Sequence, residues 1–546
     1  MFSMMRRFLM PVSMTRGLPV RGLSMRGFPV RRFPVRELTV REDCAGVTGS
    51  HLAVFNRQCG LDTRAFSNAP APAEGSTIGY KSLQTMPGRG SWTTIYWLFI
   101  KGYVHKLHLL QIIEQRNFGQ IWRTGQDVNL ADSGLIEQVL RHEGKYPMRS
   151  LANPWKEYRT VRGLANGVIT AEGEEWHRLR AVLNKRMLKV QDAALYEGVI
   201  NEVVSDLVDR IRLLRVTSES GVTVHNITTE LQRYTFEAIA AILFEIRLGC
   251  LEPKIPEETQ KFINSVIAMF RALVFCDILP KWTRSWLPFW KRYILAWDNM
   301  FDFAIQAVDK KMAQIKDRLE RGQSVEGQYL TYLLANEKMS QSELYSNITE
   351  LLLAGVDTTA NTLSWALYCL AKHPELQESV FREMCNVGPA EQIPTAQDLS
   401  RMPLLRAIIK ETLRMYPVVP NGFRILDTDI VLGGYTIPRK THLLLCHYAT
   451  SHNEQEFPNP HVFLPERWIR GSEKLKHHPF SSLPFGYGVR GCLGRRIAEL
   501  EMQLTLARLL KQFRLKLDPG MKEVPAKSRI VLIPEKPINL QFLDRQ

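Results

Sequence analysis

The chain has 546 residues, 45% hydrophobic and 23% charged, which are the proportions of a globular protein and exclude a collagen-like fibre or a wholly disordered chain. The formal net charge of +16 favours an acidic protein partner or a membrane surface, and no nucleic-acid-binding motif accompanies it, so we expect no nucleic acid partner. Eight cysteines without a Cys-x-x-Cys pair indicate a reducing environment rather than a disulfide scaffold or a zinc ribbon.

The amino terminus has the composition of a mitochondrial transit peptide. Residues 1–36 contain eight arginines and neither lysine nor an acidic residue, as transit peptides do. Arginine recurs at every fifth position from Arg16 to Arg41, a spacing that does not align the side chains on one helix face. The alternative is a basic tail that stays attached. We expect residues 1–75 to be the transit peptide and a linker, with residues 76–546 forming the folded domain.

The body of the chain is predicted to be mainly α-helical with a small β portion. Apolar residues at three- and four-residue spacing predict helices over 193–214 and 289–319. Strand-like segments are short and lie late in the chain, at 430–437, 443–446 and 530–533. No apolar run approaches the roughly 18 residues of a transmembrane helix.

The clearest element is a long helix that begins after Ser340. Ser340 and Glu343 have the spacing of a capping box, and helical periodicity continues to Lys372, before His373 and Pro374. Its middle contains Ala-Gly-Val-Asp-Thr-Thr at 354–359. Glycine and aspartate are both poor helix formers, so we expect an opened turn with polar side chains there. A solvated kink without chemistry is the alternative.

The strongest motif is Phe-Gly-Tyr-Gly-Val-Arg-Gly-Cys-Leu-Gly at 485–494, followed at once by a helical pattern. Four glycines in ten residues indicate a backbone that closely approaches another group. Cys492 is therefore expected at a helix amino terminus, where the helix dipole lowers a thiol pKa. A buried structural cysteine is the alternative for Cys492 taken alone.

This loop resembles the haem-binding loop of the cytochrome P-450 superfamily. The resemblance implies the P-450 fold, a haem b cofactor with the Cys492 thiolate as axial iron ligand, and the use of O2. A thiolate ligand favours cleavage of the O–O bond. It also implies that Asp357 and Thr358 form the proton-delivering acid–alcohol pair of oxygen activation.

The same resemblance assigns further residues. The haem propionates would be bound by Trp176, Arg180, Arg424 and Arg490. Three guanidiniums for two carboxylates is a chemically reasonable number. Glu411 and Arg414, with Arg467, match a structural ion-pair core rather than a catalytic group. The segment Asn-Gly-Phe at 421–423, which precedes Arg424, departs from the family pattern and leaves regiochemistry open.

Two features resemble the mitochondrial branch of the superfamily: the leader and the basic residues Arg406 and Lys410, which lie at i and i+4. Together with Arg495 and Arg496, these two basic residues would dock an adrenodoxin-type ferredoxin. The ferredoxin would pass on NADPH electrons that it receives from a ferredoxin reductase. Segments 143–147, 279–284 and 540–543 resemble mitochondrial sterol hydroxylases. This implies hydroxylation of the side chain of cholesterol-derived sterols at the matrix side of the inner mitochondrial membrane.

Residues 270–297 contain four tryptophans, Trp282, Trp286, Trp290 and Trp297, with interleaved lysine and arginine. This composition is typical of a segment that dips into a membrane interface, and a packed helix corner explains it equally well.

Alternative functions are another mitochondrial steroid or vitamin D hydroxylase, a haem-thiolate isomerase or lyase, and a non-catalytic sterol carrier. An isomerase or lyase would not need Asp357 and Thr358.

Overall fold

A computed structural model describes residues 80–149, 153–323, 329–336, 338–389, 391–469 and 477–545. The transit-peptide prediction lies outside these residues. The helices are α1 Ser91–Ile95, α2 Leu107–Phe118, α3 Ser133–Arg141, α4 Asn153–Arg162, α5 Gly173–Leu183, α6 Val190–Ala194, α7 Glu197–Val216, α8 Ile227–Phe244, α9 Glu257–Ile278, α10 Pro288–Glu320, α11 Tyr329–Leu334, α12 Gln341–Lys372, α13 Pro374–Val387, α14 Ala396–Leu399, α15 Pro403–Met415, α16 His447–Ser451 and α17 Arg495–Gln512.

The strands are short, and their pairing joins distant parts of the chain. They are β1 Lys81–Ser82, β2 Gly88–Arg89, β3 Ile121–Thr124, β4 Asp127–Leu130, β5 Thr223–Val224, β6 Gly422–Ile425, β7 Ile430–Leu432, β8 Tyr435–Ile437, β9 His442–Leu445, β10 Phe513–Leu517, β11 Ala526–Ser528, β12 Leu532–Pro534 and β13 Leu540–Asp544. The largest sheet has the order β2-β3-β4-β9-β6, and smaller sheets are β1-β8-β7, β10-β13-β5 and β11-β12. The prediction of a mainly α fold with a small β portion is confirmed.

Two strand predictions need correction. The segment 430–437 is a hairpin rather than one strand, because Gly433 and Gly434 have φ values of +56° and +81° and form the turn between β7 and β8. Strands also occur early in the chain, since β3 and β4 pair with each other and β4 then pairs in parallel with β9.

The long helix α12 lies at the centre of the main hydrophobic core. Its start has the predicted capping box, with Ser340 and Glu343 bonded reciprocally, and 32 residues give a length of about 48 Å. Helices α8, α10, α15 and α17 pack against it. Nearly every side chain along α12 is buried, so accessible positions on this helix mark places where the core is open. Among the described residues, no helix combines the length and hydrophobicity needed to cross a bilayer.

Candidate active site

Glycines and one backbone hydrogen bond shape the turn that contains Cys492. Its amide donates to the carbonyl of Phe485 at 2.8 Å. Gly486 and Gly488 have φ values of +69° and +65°, where a Cβ would be strained. Helix α17 begins three residues after the cysteine, with Gly494 as its N-cap. The turn therefore fixes Cys492 just before a helix amino terminus, as the sequence predicted.

The expected lowering of the Cys492 thiol pKa is not found. Burial raises the pKa, and it outweighs the Gly494 amide and the Arg180 and Arg149 guanidiniums, which act in the lowering direction. The Cys492 side chain is nevertheless accessible to solvent. A metal ion that coordinates sulfur removes the thiol proton outright, so binding of such an ion would counter the effect of burial.

Arginine side chains from three separate segments meet at this loop. Arg180, on α5, donates from Nη2 to the carbonyl of Gly491 at 2.7 Å. Arg149 donates to the carbonyl of Arg490, and the Arg490 guanidinium lies 3.8 Å from the ring centroid of the buried Trp176. The structure thus brings Trp176, Arg180 and Arg490 together, and it adds Arg149, which the sequence analysis missed.

This cluster has more positive charge than its protein partners neutralise. Burial, together with Arg424, Arg490 and Arg180, lowers the pKa of Arg149 to about 9. Arg424 forms an ion pair with Glu143. The Nε atoms of Arg149 and Arg180 are buried without a hydrogen-bond partner among the described residues. Buried cations without counter-ions are strongly unfavourable, so the cluster is suited to a ligand that contributes carboxylates.

These observations agree with the chemistry of a haem. A haem has two carboxylates, which guanidiniums can bind, and an iron, which one sulfur can bind. The loop offers the accessible Cys492 side chain beside arginines with surplus positive charge. A Cβ at Gly491 would lie 3.1 Å from the carbonyl oxygen of Gly488, so glycine there keeps the loop compact. The residues present therefore fit the cofactor expected from the sequence.

Helix α12 is accessible at the segment that contains the acid–alcohol pair. Ala354 is exposed and Thr358 is half-buried, although the helix is otherwise almost wholly buried. The Thr358 hydroxyl donates to the carbonyl of Ala354 at 2.7 Å. The prediction of an opened turn is wrong, because α12 continues without a break through this region. Gly355 has a packing reason instead, since a Cβ there would lie 2.8 Å from Cγ1 of Ile239 on α8.

Asp357 points to a different surface of α12 from Thr358. It is 7% exposed, and its Oδ1 accepts a hydrogen bond from Nε2 of Gln232 at 2.8 Å. Burial raises the pKa of the Asp357 carboxyl, while Gln232 and Arg529 act in the lowering direction. No local sequence pattern indicates Gln232 or Arg529, because they come from α8 and from the turn after β11.

Glu411, Arg414 and Arg467 form a buried cluster on the carboxyl half of α15. Glu411 accepts from Arg414 at 2.9 and 2.8 Å and from Arg467 at 3.3 Å. The Trp468 indole donates to the same carboxylate at 2.9 Å. One carboxylate thus fixes α15 against the segment 464–468, which is a structural role.

The four basic residues assigned to partner docking are all exposed. Arg406 and Lys410 lie one turn apart on α15, and this helix packs against α17, where Arg495 and Arg496 both pair with Glu499. Two cations on one carboxylate leave a positive surplus, so the first turn of α17 remains basic.

The tryptophan-rich segment divides into an exposed part and a buried part. Trp282 is 64% and Trp286 85% exposed, whereas Trp297 is fully buried and packs on Trp155 and Tyr158. The packed-corner interpretation therefore fits Trp297, and the first two tryptophans are left as an apolar surface.

Comparison with known proteins agrees with this geometry. The Cytochrome P450 family model matches residues 87–542. The chain is 46% identical over 511 residues to the mitochondrial sterol 26-hydroxylase of Mus musculus, covering 89% of this chain and 96% of that protein. It is 43% identical over 494 residues to the mitochondrial 25-hydroxyvitamin D-1 alpha hydroxylase of Homo sapiens, covering 87% and 97%. The crystal structure of a cytochrome P450DA heme domain matches in fold, with a TM-score of 0.68 at 21% identity over 82% of this chain and 95% of that one. The chain belongs to the cytochrome P450 family.

Proposed function

We propose that the chain is a mitochondrial haem-thiolate monooxygenase that hydroxylates the side chain of cholesterol-derived sterols at the 26/27 position. The observation that carries the monooxygenase assignment is the accessible Cys492 side chain, which lies beside arginines whose positive charge the protein does not fully neutralise. The substrate class rests on the near full-length similarity to mitochondrial sterol 26-hydroxylases.

In this proposal the Cys492 thiolate would hold the iron of haem b, and arginines would hold its propionates. Glu143 already pairs with Arg424, so Arg149, Arg180 and Arg490 are the cations with charge left for a ligand. When bound, the haem supplies the redox chemistry that activates dioxygen, and its thiolate ligand favours O–O cleavage.

Asp357 and Thr358 supply protons to the reaction in the proposal. Monooxygenation consumes one O2, two electrons and two protons, and yields hydroxylated substrate and water. Thr358 lies on the accessible stretch of an otherwise buried helix, where its hydroxyl, bonded to the carbonyl of Ala354, retains its oxygen lone pairs for a second partner. Asp357 is its neighbour in the chain and accepts protons from the solvent side.

Electrons would come from NADPH through a ferredoxin reductase and an adrenodoxin-type ferredoxin. Arg406 donates to the carbonyl of Ser400, and Lys410 lies 5.6 Å from the ring centroid of Trp468, contacts that leave both charges available. With Arg495 and Arg496 they form a basic surface complementary to an acidic protein. Such docking weakens as salt concentration rises.

We further propose that the protein lies on the matrix side of the inner mitochondrial membrane and is imported by residues 1–75. Trp282 and Trp286 are the exposed aromatic residues expected to enter the lipid interface, where amphipathic rings partition favourably. Lys281 is also exposed, and anionic lipids attract such cations.

A second candidate function is hydroxylation of vitamin D compounds, which the 43% identity to a 25-hydroxyvitamin D-1 alpha hydroxylase favours. The deciding experiment supplies purified protein with ferredoxin reductase, ferredoxin and NADPH, and identifies products from a panel of sterols and secosteroids. We expect 26/27-hydroxylated sterols as the main products. Exclusive turnover of secosteroids would replace the sterol assignment, and no turnover of either would remove the monooxygenase assignment.

A further inference from the structure

The segment 143–149 is bonded to two separate parts of the arginine cluster. Ile425 on β6 donates its amide to the carbonyl of Met148 at 3.0 Å, in an isolated antiparallel bridge. Arg490 in the cysteine loop donates from Nε to the carbonyl of Pro147 at 2.8 Å. These backbone contacts fix the segment between β6 and the cysteine loop.

Glu143, the acidic residue of this segment, has a buried carboxylate. Its side chain is 7% exposed, and it forms an ion pair with Arg424, whose side chain is 6% exposed. A Cβ at Gly488 would lie 3.9 Å from Oε2 of Glu143, so the carboxylate also lies beside the cysteine loop. A buried carboxylate is unfavourable unless cations neutralise it, and this cluster supplies them in excess.

Two hydrogen bonds fix the orientation of the Arg424 guanidinium. Its Nε donates to Glu143, and its Nη1 donates to the carbonyl of Phe423 at 2.9 Å. Within the described part of the chain no group accepts from Nη2. Because a guanidinium is planar and rigid, anchoring Nε and Nη1 leaves Nη2 available to a further carboxylate in a fixed direction.

The negative charge of Glu143 acts on the whole cluster. Its attraction opposes the lowering of the pKa of two other arginines, Arg149 and Arg490. Glu172 also attracts Arg490, but it pairs with Lys156 at 3.0 Å. The cluster contains four guanidiniums, those of Arg149, Arg180, Arg424 and Arg490. Glu143 offsets one of these four charges, and two haem propionates would offset two more.

We propose that Glu143 is a positioning residue of the haem site, which holds Arg424 for a propionate and supplies the protein's own negative charge beside the haem. This charge keeps the reduction potential of the iron lower than the four guanidiniums alone would set it, because a nearby negative charge opposes the gain of an electron. The inference rests on the proposed haem-thiolate function and adds a residue that binds neither iron nor propionate.

The test measures the reduction potential of purified, haem-loaded protein by spectroelectrochemistry, without turnover. Glu143→Gln removes the charge, and Glu143→Asp keeps it. Glu320→Gln is the matched control, since it removes an exposed carboxylate that pairs with Lys316. We expect Glu143→Gln to favour reduction by about threefold to tenfold, which is about 28–59 mV for one electron. Glu143→Asp and Glu320→Gln should stay within about twofold of wild type, because the first keeps the charge and the second removes a screened one.

A compensating variant separates the effect of charge from a loss of structure. Arg424→Met alone should disfavour reduction, because it removes a positive charge. Glu143→Gln combined with Arg424→Met removes one charge of each sign and should return the potential to within about twofold of wild type. If Glu143→Gln retains no haem, the double variant still decides the question, since it should retain haem with a potential near that of wild type.

Three results would overturn the inference and leave the proposed function intact. They are an unchanged potential in haem-loaded Glu143→Gln, an equal shift in Glu143→Asp, and a double variant that retains no haem or shifts as far as Glu143→Gln. A wild-type protein that has no haem absorption band would instead overturn the proposed function and this inference together.

Discussion

Replacing Arg149 by methionine should have opposite effects on the haem-free and the haem-bound protein. Burial and three neighbouring guanidiniums lower the Arg149 pKa from 12.5 to about 9, which corresponds to about 5 kcal/mol of disfavoured charge as an upper bound. Relaxation reduces this to about 2–5 kcal/mol. The lost hydrogen bond to the Arg490 carbonyl costs about 0.5–1.5 kcal/mol. The variant should therefore stabilise the haem-free protein by about 0.5–4.5 kcal/mol.

Thermal melting of haem-extracted protein measures this gain. For a domain of about 470 residues the entropy of unfolding is about 1 kcal/mol per kelvin, so the melting temperature should rise by about 0.5–4.5 °C at a fixed scan rate. The haem-bound form should instead lose haem faster, by about tenfold or more, because a charge-assisted hydrogen bond to a carboxylate is worth about 1.5–3 kcal/mol. Transfer of haem to an apoprotein acceptor gives this rate.

The exposed Arg439→Met is the matched control and should change neither quantity, since such surface substitutions stay within about 0.5 kcal/mol. The reasoning is refuted if Arg149→Met lowers the melting temperature of the haem-free protein and leaves haem transfer unchanged. That result would mean that Arg149 is an ordinary structural residue and that the arginine cluster does not bind the haem carboxylates.

Three further predictions concern other parts of the site. Thr358→Ala should divert electrons from product to hydrogen peroxide, lowering product per NADPH by about tenfold or more; unchanged coupling would remove Thr358 from the proton path. Lys410→Glu should weaken ferredoxin binding about tenfold at low salt, with sterol binding unchanged; equal loss of both in titrations would indicate misfolding. Glu411→Gln should destabilise the protein by about 3–5 kcal/mol in denaturant unfolding, because two buried guanidiniums lose their counter-ion, whereas the more exposed Glu499→Gln should cost under about 1 kcal/mol. Similar losses in those two variants would contradict a buried ion-pair core.

The parts of the fold that local sequence determines were predictable. The capping box at Ser340 and Glu343 and the proline after His373 mark the ends of α12, because both signals act within a few residues. The helix α17 follows the glycine-rich loop for the same reason. The hairpin at 430–437 was missed although Gly433 and Gly434 signal its turn.

Features that depend on distant segments could not be predicted. Strands β3 and β4 have four residues each. Strand β4 pairs with β9, which lies more than 300 residues later in the chain, so no local sequence pattern indicates this pairing. Arg149 lies in no motif, and only the fold places it beside Arg180 and Arg490. The thiol pKa of Cys492 was predicted from the helix dipole alone, whereas burial, a tertiary property, has the larger effect.

The account depends most directly on the bond between the Cys492 sulfur and a haem iron. The reduced carbon monoxide difference spectrum of purified wild type, compared with Cys492→His, measures it. The account predicts a thiolate-type spectrum for wild type and a nitrogen-ligand spectrum for the variant. A wild-type protein without a haem absorption band, or a thiolate-type spectrum that persists in Cys492→His, would contradict it.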